Sequence, residues 1–313
     1  MIDDIMKIRY LHAMKRFEEV SVQNPITHEL VSKLFVKRSA DSYKGSCGKL
    51  WVCAGSKGLT GAAVMACQSA LRCGCGLISL GCPESLNTIF EIRLTEVMTV
   101  PLDDCNGILS YDAYSKIISK SSESDAVLIG PGIGRSDDIT DIVCGLIKEC
   151  TVPLVIDADG LYALSHNTDI LKKAKSHIIL TPHAGEFSRL TGKDTKYILN
   201  NRTQLASEFA SKYNVTLVLK SHRTVVASPD GSVYENLLGG PAMATGGTGD
   251  VLSGAIASFA AQSKDTTACA LAGVYIHSLA ADMATLETGE YSLIPSDIIE
   301  YIKYAVRETS YRS

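Results

Sequence analysis

The densest chemistry in the chain lies in the run Ala244-Thr-Gly-Gly-Thr-Gly-Asp250-Val-Leu-Ser-Gly254. Gly246, Gly247 and Gly249 let consecutive backbone N–H groups converge into an anion-binding nest. The apolar helix expected behind them adds its positive end, worth about 0.3–1 kcal/mol for an exposed anion and up to ~2 kcal/mol when partly buried. Asp250 stands where a bound phosphate would repel a second anion. A carboxylate placed there can take the proton from a hydroxyl that attacks the phosphate. The other role open to it is an N-cap of the helix, a common one for aspartate.

Two more glycine-rich turns follow apolar runs. Gly55-Ser-Lys-Gly-Leu-Thr-Gly61-Ala-Ala enters a helical segment but lacks the Gly-Lys-Ser/Thr of a Walker A loop, so a plain strand–helix turn suits it equally. Ile129-Gly-Pro-Gly-Ile-Gly-Arg135 has Arg135 where a dinucleotide fingerprint requires glycine, which counts against a Rossmann oxidoreductase. Its Gly132 and Gly134 can still bring backbone close to a flat ligand. Asp157 and Asp159 form a carboxylate pair able to hold Mg²⁺ through water beside nucleotide phosphates, and Asp159 could equally cap the next helix. Leu180-Thr-Pro-His183-Ala-Gly-Glu186 sets an imidazole and a carboxylate on a turn entering a helix, where a ligand contact is expected. Lys220 and Arg223 leave an apolar run as two cations suited to the anionic groups of a nucleotide.

Positioning these groups requires a particular scaffold. Apolar runs at 50–54, 77–80, 126–129, 154–156, 178–180, 217–219 and 225–227 read as buried strands. Amphipathic stretches at 61–73, 111–120, 138–150 and 203–213 read as helices between them. The alternation predicts an α/β fold, a mainly parallel central sheet with helices on both faces. A hairpin-like section near 229–233 then leads to Ala-rich helices at about 249–262 and 266–285. Ile5, Ile8, Leu11, Met14 and Phe17 recur every third residue, which predicts an amphipathic helix in an extension at residues 1–24. No Pro/Gly/Ser-rich linker divides residues 25–313, expected to be one domain.

Composition removes several function classes. The 30 Lys+Arg against 34 Asp+Glu give a net charge of −4, which offers no electrostatic reason to propose nucleic acid or an anionic membrane as partner. No run of about 18 uninterrupted apolar residues occurs, so no membrane span is expected. Asp3, Asp4, Lys7 and Arg9 do not suit a signal peptide, and a cytoplasmic location is expected. The 10 cysteines contain no C-x-x-C spacing, which argues against zinc ribbons and thioredoxin-type sites and for reduced, mostly buried thiols. Cys73 and Cys75 are the candidates to depart from that pattern, with no chemistry assigned to them.

Seven stretches, in order, resemble the nucleotide-dependent NAD(P)H-hydrate dehydratases, which have the ribokinase-like fold. They are Lys44-Gly-Ser-Cys-Gly-Lys49, Gly61-Ala-Ala63, Gly130-Pro-Gly132, Asp157-Ala-Asp-Gly160, Thr181-Pro-His-Ala-Gly-Glu186, Leu219-Lys-Ser-His-Arg-Thr224 and Ala244–Gly254. The resemblance implies repair of NADH or NADPH whose nicotinamide ring has gained water. ADP or ATP phosphorylates the ring hydroxyl, and loss of phosphate restores the dihydropyridine. It implies that Ala62, Gly132 and His183 contact the hydrated dinucleotide, together with Asp250 as catalytic base. It places Lys220, Ser221, His222, Arg223 and Thr224 against the adenine nucleotide and Gly249 at its phosphates. Mg²⁺ is expected with the nucleotide, without assigned ligands. A homo-oligomer, with a tetramer favoured, and a separate NAD(P)H-hydrate epimerase as working partner are also implied, the ~24 residues before the match being too few for an epimerase domain.

The chain departs from the family pattern at Ser221, where glycine is usual, and at Gly239-Gly-Pro-Ala-Met243. The alternative reading is a kinase of the same fold acting on a hydroxymethylpyrimidine or thiazole vitamin precursor. A non-catalytic nucleotide sensor is the alternative from another class, and an intact Asp250 argues against it.

Overall fold

The computed structural model describes residues 24–35 and 38–310. The helix expected in residues 1–24 therefore lies, but for Asn24, outside the described residues. In chain order the strands are β1 Lys49–Cys53, β2 Leu77–Pro83, β3 Met98–Leu102, β4 Asp104–Cys105, β5 Ile108–Leu109, β6 Ala126–Ile129, β7 Leu154–Ile156, β8 Ile178–Leu180, β9 Thr216–Leu219, β10 Val225–Ala227 and β11 Val233–Glu235. Nine form one sheet in the order β11-β10-β9-β8-β7-β6-β1-β2-β3, and β4 with β5 makes a separate ribbon. Every pairing from β9 across to β3 is parallel, while β10 and β11 are antiparallel additions at one edge.

The two-residue period of a strand divides the core between the two faces of this sheet. Leu50 and Val52 pack into one buried cluster with the helices Thr60–Arg72, Thr248–Gln262, Thr266–Thr288 and Pro295–Ser310. Trp51 and Cys53 pack into the other, with Asp137–Glu149 and Arg202–Tyr213 among its helices. Both faces are covered, as the unbroken apolar runs of the central strands require. The helix Thr266–Thr288 is long and apolar enough to cross a membrane by length and composition, but 89% of its apolar window is buried inside the protein. Burial also accounts for most thiols: Cys73 and Cys75 are both buried, and burial pushes Cys75 up to about 11.

The winding of the sheet reverses at β1. From there the chain proceeds outward to β2 and β3, then returns to β6 on the other side of β1. Open α/β sheets bind ligands beyond the carboxyl ends of their strands at such a switch point. The two glycine-rich turns after β1 and β6 meet there, with the Gly55 N–H donating to the Pro131 carbonyl at 2.9 Å.

The helix Thr248–Gln262 carries the third turn, and its seat is set by close contact with Thr60–Arg72. Ser69 Oγ donates to the Val251 carbonyl at 2.6 Å, and Ser258 Oγ donates to the Ala70 carbonyl at 2.8 Å. Gly254 faces the same neighbour, and a Cβ there would lie 2.1 Å from the Ala66 carbonyl oxygen. Gly254→Ala should therefore force the helices apart and lower the unfolding free energy by about 1–3 kcal/mol, despite the better helix propensity of alanine. Urea unfolding measures this; an unchanged or raised stability would show that the contact does not hold the turn in place.

Candidate functional site

Parallel β7, β8 and β9 end side by side, and each delivers a charged group from its carboxyl end. Asp157 follows β7, His183 and Glu186 follow β8, and Lys220 follows β9. The register is fixed by backbone, since the Lys220 N–H donates to the Pro182 carbonyl at 2.8 Å. Lys220 Nζ then lies 2.9 Å from Asp157 Oδ1 and 3.8 Å from Glu186 Oε2. Asp157 is only 1% exposed, and this pair offsets the cost of burying its carboxyl. Ala158 turns the chain sharply at φ 48°, a left-handed conformation that costs an alanine about 1–3 kcal/mol. The same turn abuts β6: a Cβ on Gly130 would fall 1.9 Å from the Asp157 carbonyl oxygen.

The glycine-rich turn closes over this cluster. Gly247 is at φ 101°, and a Cβ on Gly249 would meet Lys220 Nζ at 3.4 Å. Gly247 itself is the N-cap of the helix Thr248–Gln262, with no side-chain cap bond, and Asp250 sits in the first turn. Of the two roles open to Asp250, helix capping is thereby removed. Burial, first, and repulsion from Asp157 push the Asp250 carboxyl up to about 7, with Lys220 pulling the other way. Burial opposes the Lys220 ammonium, yet Asp157, Glu186 and Asp250 together hold its pKa above the ordinary value. Glu186 is raised mainly by burial, against the attraction of Lys220. A carboxylate raised to about 7 in the first turn of a helix, beside a glycine-rich N-terminus, is poised to accept a proton.

The residues singled out in the sequence fall into two groups around this cluster. A cavity of about 170 Å³ is lined by Lys220, Ser221, His222, Thr224 and Gly249, with Arg223 outside its wall. Ser221 takes the turn without a positive φ, and its hydroxyl donates to the Arg223 carbonyl at 2.6 Å. Ala62 and Gly132 adjoin each other at the switch point, where a Cβ on Gly132 would lie 2.9 Å from that of Ala62. Met65, one turn after Ala62, reaches the Gly247 turn: a Cβ on Gly247 would lie 2.7 Å from Met65 Cε.

Several side chains do something other than their sequence context suggested. Lys220 lines the cavity and at the same time sets its ammonium against Asp157 and Glu186. Asp159 neither caps a helix nor stands free for a metal. It accepts from the Gly134 N–H at 3.2 Å and from Arg135 Nε at 2.7 Å, and so pins the turn after β6. His183 caps the helix Ala184–Thr191: Nδ1 accepts from the Gly185 and Glu186 N–H groups, while Glu186 Oε2 accepts from the His183 N–H. Its Nε2, 3.5 Å from Glu186 Oε1, is the nitrogen left to meet a ligand. Asn236 and His277 also line the cavity, and the sequence reading passed over both. A lone imidazole within the apolar stretch 266–288 was the available signal for the second. Among the described residues no group of three His, Cys, Asp or Glu side chains is arranged to hold a metal ion.

Comparison with known proteins follows the same outline. The NAD(P)H-hydrate dehydratase family model matches residues 50–304. The chain is 38% identical over 272 residues to the bifunctional NAD(P)H-hydrate repair enzyme Nnr of Moorella thermoacetica, covering 87% of this chain and 51% of that protein. It is 34% identical over 277 residues to the ADP-dependent (S)-NAD(P)H-hydrate dehydratase of Lactiplantibacillus plantarum, covering 88% of this chain and 93% of that one. The crystal structure of the ADP/ATP-dependent NAD(P)H-hydrate dehydratase of Bacillus subtilis, co-crystallized with ATP/Mg²⁺, superposes with a TM-score of 0.79. That pair is 28% identical and covers 92% of this chain and 100% of the other. The chain spans about half the length of the curated relatives it matches first, which are bifunctional proteins.

The buried ion pair makes a prediction that needs no substrate. Lys220→Met should destabilise the protein by about 3–5 kcal/mol at pH 7, because the buried Asp157 carboxyl loses the partner that compensates its burial. Adding Asp157→Asn should restore a large part of the loss. Urea unfolding of both variants decides it, and a single variant within ~1 kcal/mol of the parent, the range of an exposed pair, would show that the pair carries little.

Proposed function

Because the chain belongs to the NAD(P)H-hydrate dehydratase family, we propose that its site phosphorylates the ring hydroxyl of hydrated NADH or NADPH with ADP or ATP and then expels phosphate. The observation that carries this reading is Asp250, a carboxylate raised to about 7 and held beside a glycine-rich turn at a helix N-terminus. In this reading the nucleotide lies against residues 220–224. The Gly249 N–H and the helix end face its phosphates. The hydrated ring lies toward His183, Ala62 and Gly132.

Asp250 takes the proton of the ring hydroxyl as the oxygen attacks the terminal phosphorus. The P–O bond to the rest of the nucleotide breaks, so ADP leaves as AMP. Loss of a ring proton with cleavage of the C–O bond then releases phosphate and restores the double bond. Lys220 offsets Asp157 and Glu186, so that an anionic phosphate can approach and Asp250 is not driven to a still higher pKa. A Mg²⁺ carried by the nucleotide would be attracted to these carboxylates and would supply further neutralisation of phosphate charge.

A kinase of a hydroxymethyl vitamin precursor, which would share the ribokinase-like fold, is less supported, since the named relatives are dehydratases. The same proposal includes a separate epimerase activity supplying the correct ring epimer, in keeping with the bifunctional names of the longer relatives. It also keeps a cytoplasmic homo-oligomer, with a tetramer favoured.

Two outcomes test the assignment of roles. Asp250→Asn should lower kcat by about 10²–10⁴-fold, with nucleotide binding retained or improved. In the parent, kcat/KM should rise with pH through about 7 and level off above it, because the base must be deprotonated. Turnover within a few-fold of the parent, or a flat profile, would remove Asp250 as base. His183→Asn preserves a capping side chain and should raise KM for the hydrate about ten- to hundred-fold, with nucleotide KM nearly unchanged. An effect on nucleotide KM alone would place His183 elsewhere.

A further inference from the structure

The cavity beside residues 220–224 contains two buried side chains, each with a polar atom that has no partner. Asn236 is 2% exposed, and its Nδ2 donates to the Leu238 carbonyl at 2.8 Å and to Ser278 Oγ at 2.9 Å. Both amide hydrogens are thereby committed. The Leu238 carbonyl can only accept, so the amide cannot be turned over, and Oδ1 is the atom left unpaired. His277 is 4% exposed, and its Nε2 is likewise unpaired. Burial holds its pKa down to about 4, and its ring hydrogen-bonds the Thr248 backbone. The ring is therefore neutral near pH 7 and donates through its other nitrogen, which makes Nε2 a bare acceptor.

Unpaired buried acceptors are rare and costly, so two in one cavity point to a ligand group that satisfies them. That group must be a donor. The neighbouring walls at Met243, Leu252 and Val274 are apolar and suit the faces of a flat ring. We propose that Asn236 and His277 read the 6-amino group of a purine, so that the cavity admits adenine nucleotides and rejects 6-oxopurine nucleotides. The amino group brings two hydrogens to two acceptors. A 6-oxopurine would instead aim a carbonyl oxygen at both lone pairs and leave them unpaired. The inference rests on the nucleotide site of the proposed function and adds which side chains choose the base.

Calorimetric titration of the whole protein with ADP and with inosine 5′-diphosphate tests it without requiring turnover. The parent should bind ADP about 100-fold or more tightly than the inosine nucleotide, because sites built around a hydrogen bond strongly reject analogues lacking it. Asn236→Leu should weaken ADP about ten- to hundred-fold and leave the inosine nucleotide within a few-fold. His277→Gln, which keeps a side-chain acceptor, should retain more of the preference than His277→Leu. Equal affinity of the parent for both nucleotides overturns the base readout and leaves the repair reaction standing. So does an Asn236→Leu variant that binds ADP as the parent does. Should the leucine variants fail to fold, the parent's comparison still decides. Binding of neither nucleotide to the folded parent removes this inference and the proposed nucleotide site together.

Discussion

One buried ammonium, shared among carboxylates, is the interaction on which the site depends. Lys220 contacts Asp157 directly and Glu186 at longer range, and its charge opposes the rise of Asp250. None of these acids would tolerate its position alone. With the cation among them, Asp157 sits almost fully buried in an ion pair, and the Asp250 carboxyl is raised to about 7 against the pull of Lys220.

The sheet exists, in this view, to bring those groups together. Asp157, Glu186 and Lys220 are far apart in sequence, yet each follows a strand, and β7, β8 and β9 are parallel neighbours. Parallel pairing aligns their carboxyl ends. The strand reversal at β1 opens the crevice beside them, and the helix Thr248–Gln262 aims its glycine-rich N-terminus into it. Small residues decide how closely these parts approach. Gly130 lets β6 meet the Asp157 turn, and Gly254 lets the helix Thr248–Gln262 sit against Thr60–Arg72.

Much of this was legible in the residues. The central strands are runs with both faces buried, and such runs announce themselves: the expected 126–129, 154–156 and 178–180 are the observed β6, β7 and β8. Edge elements were not. β3 contains Pro101 and exposes Met98, and β11 is only partly buried, so neither carries an apolar signature. The helix expected at 111–120 begins as a 3₁₀ turn at Tyr111–Ala113 and becomes α-helical at Tyr114–Ser122. Pro295–Ser310 was overlooked although Pro295 at its start, followed by Ile298, Ile302 and Ala305 on one face, was there to be read. Within the site, residue types were readable and partners were not. Nothing local to Lys220 reveals whether its ammonium faces water or Asp157, and nothing local to Asn236 shows which of its amide atoms is left unpaired.

In the proposed reaction the ring oxygen leaves as inorganic phosphate, by way of a phosphate ester on the ring, rather than as water. Hydrated NADH carrying ¹⁸O in the ring hydroxyl, incubated with the protein, Mg²⁺ and unlabelled ADP, tests it by ³¹P NMR of the products. Attack by the ring oxygen on phosphorus must carry the label into inorganic phosphate, one ¹⁸O per phosphate, matched by AMP and NADH in equal amounts. Label found in water, with unlabelled phosphate or none, would contradict the account.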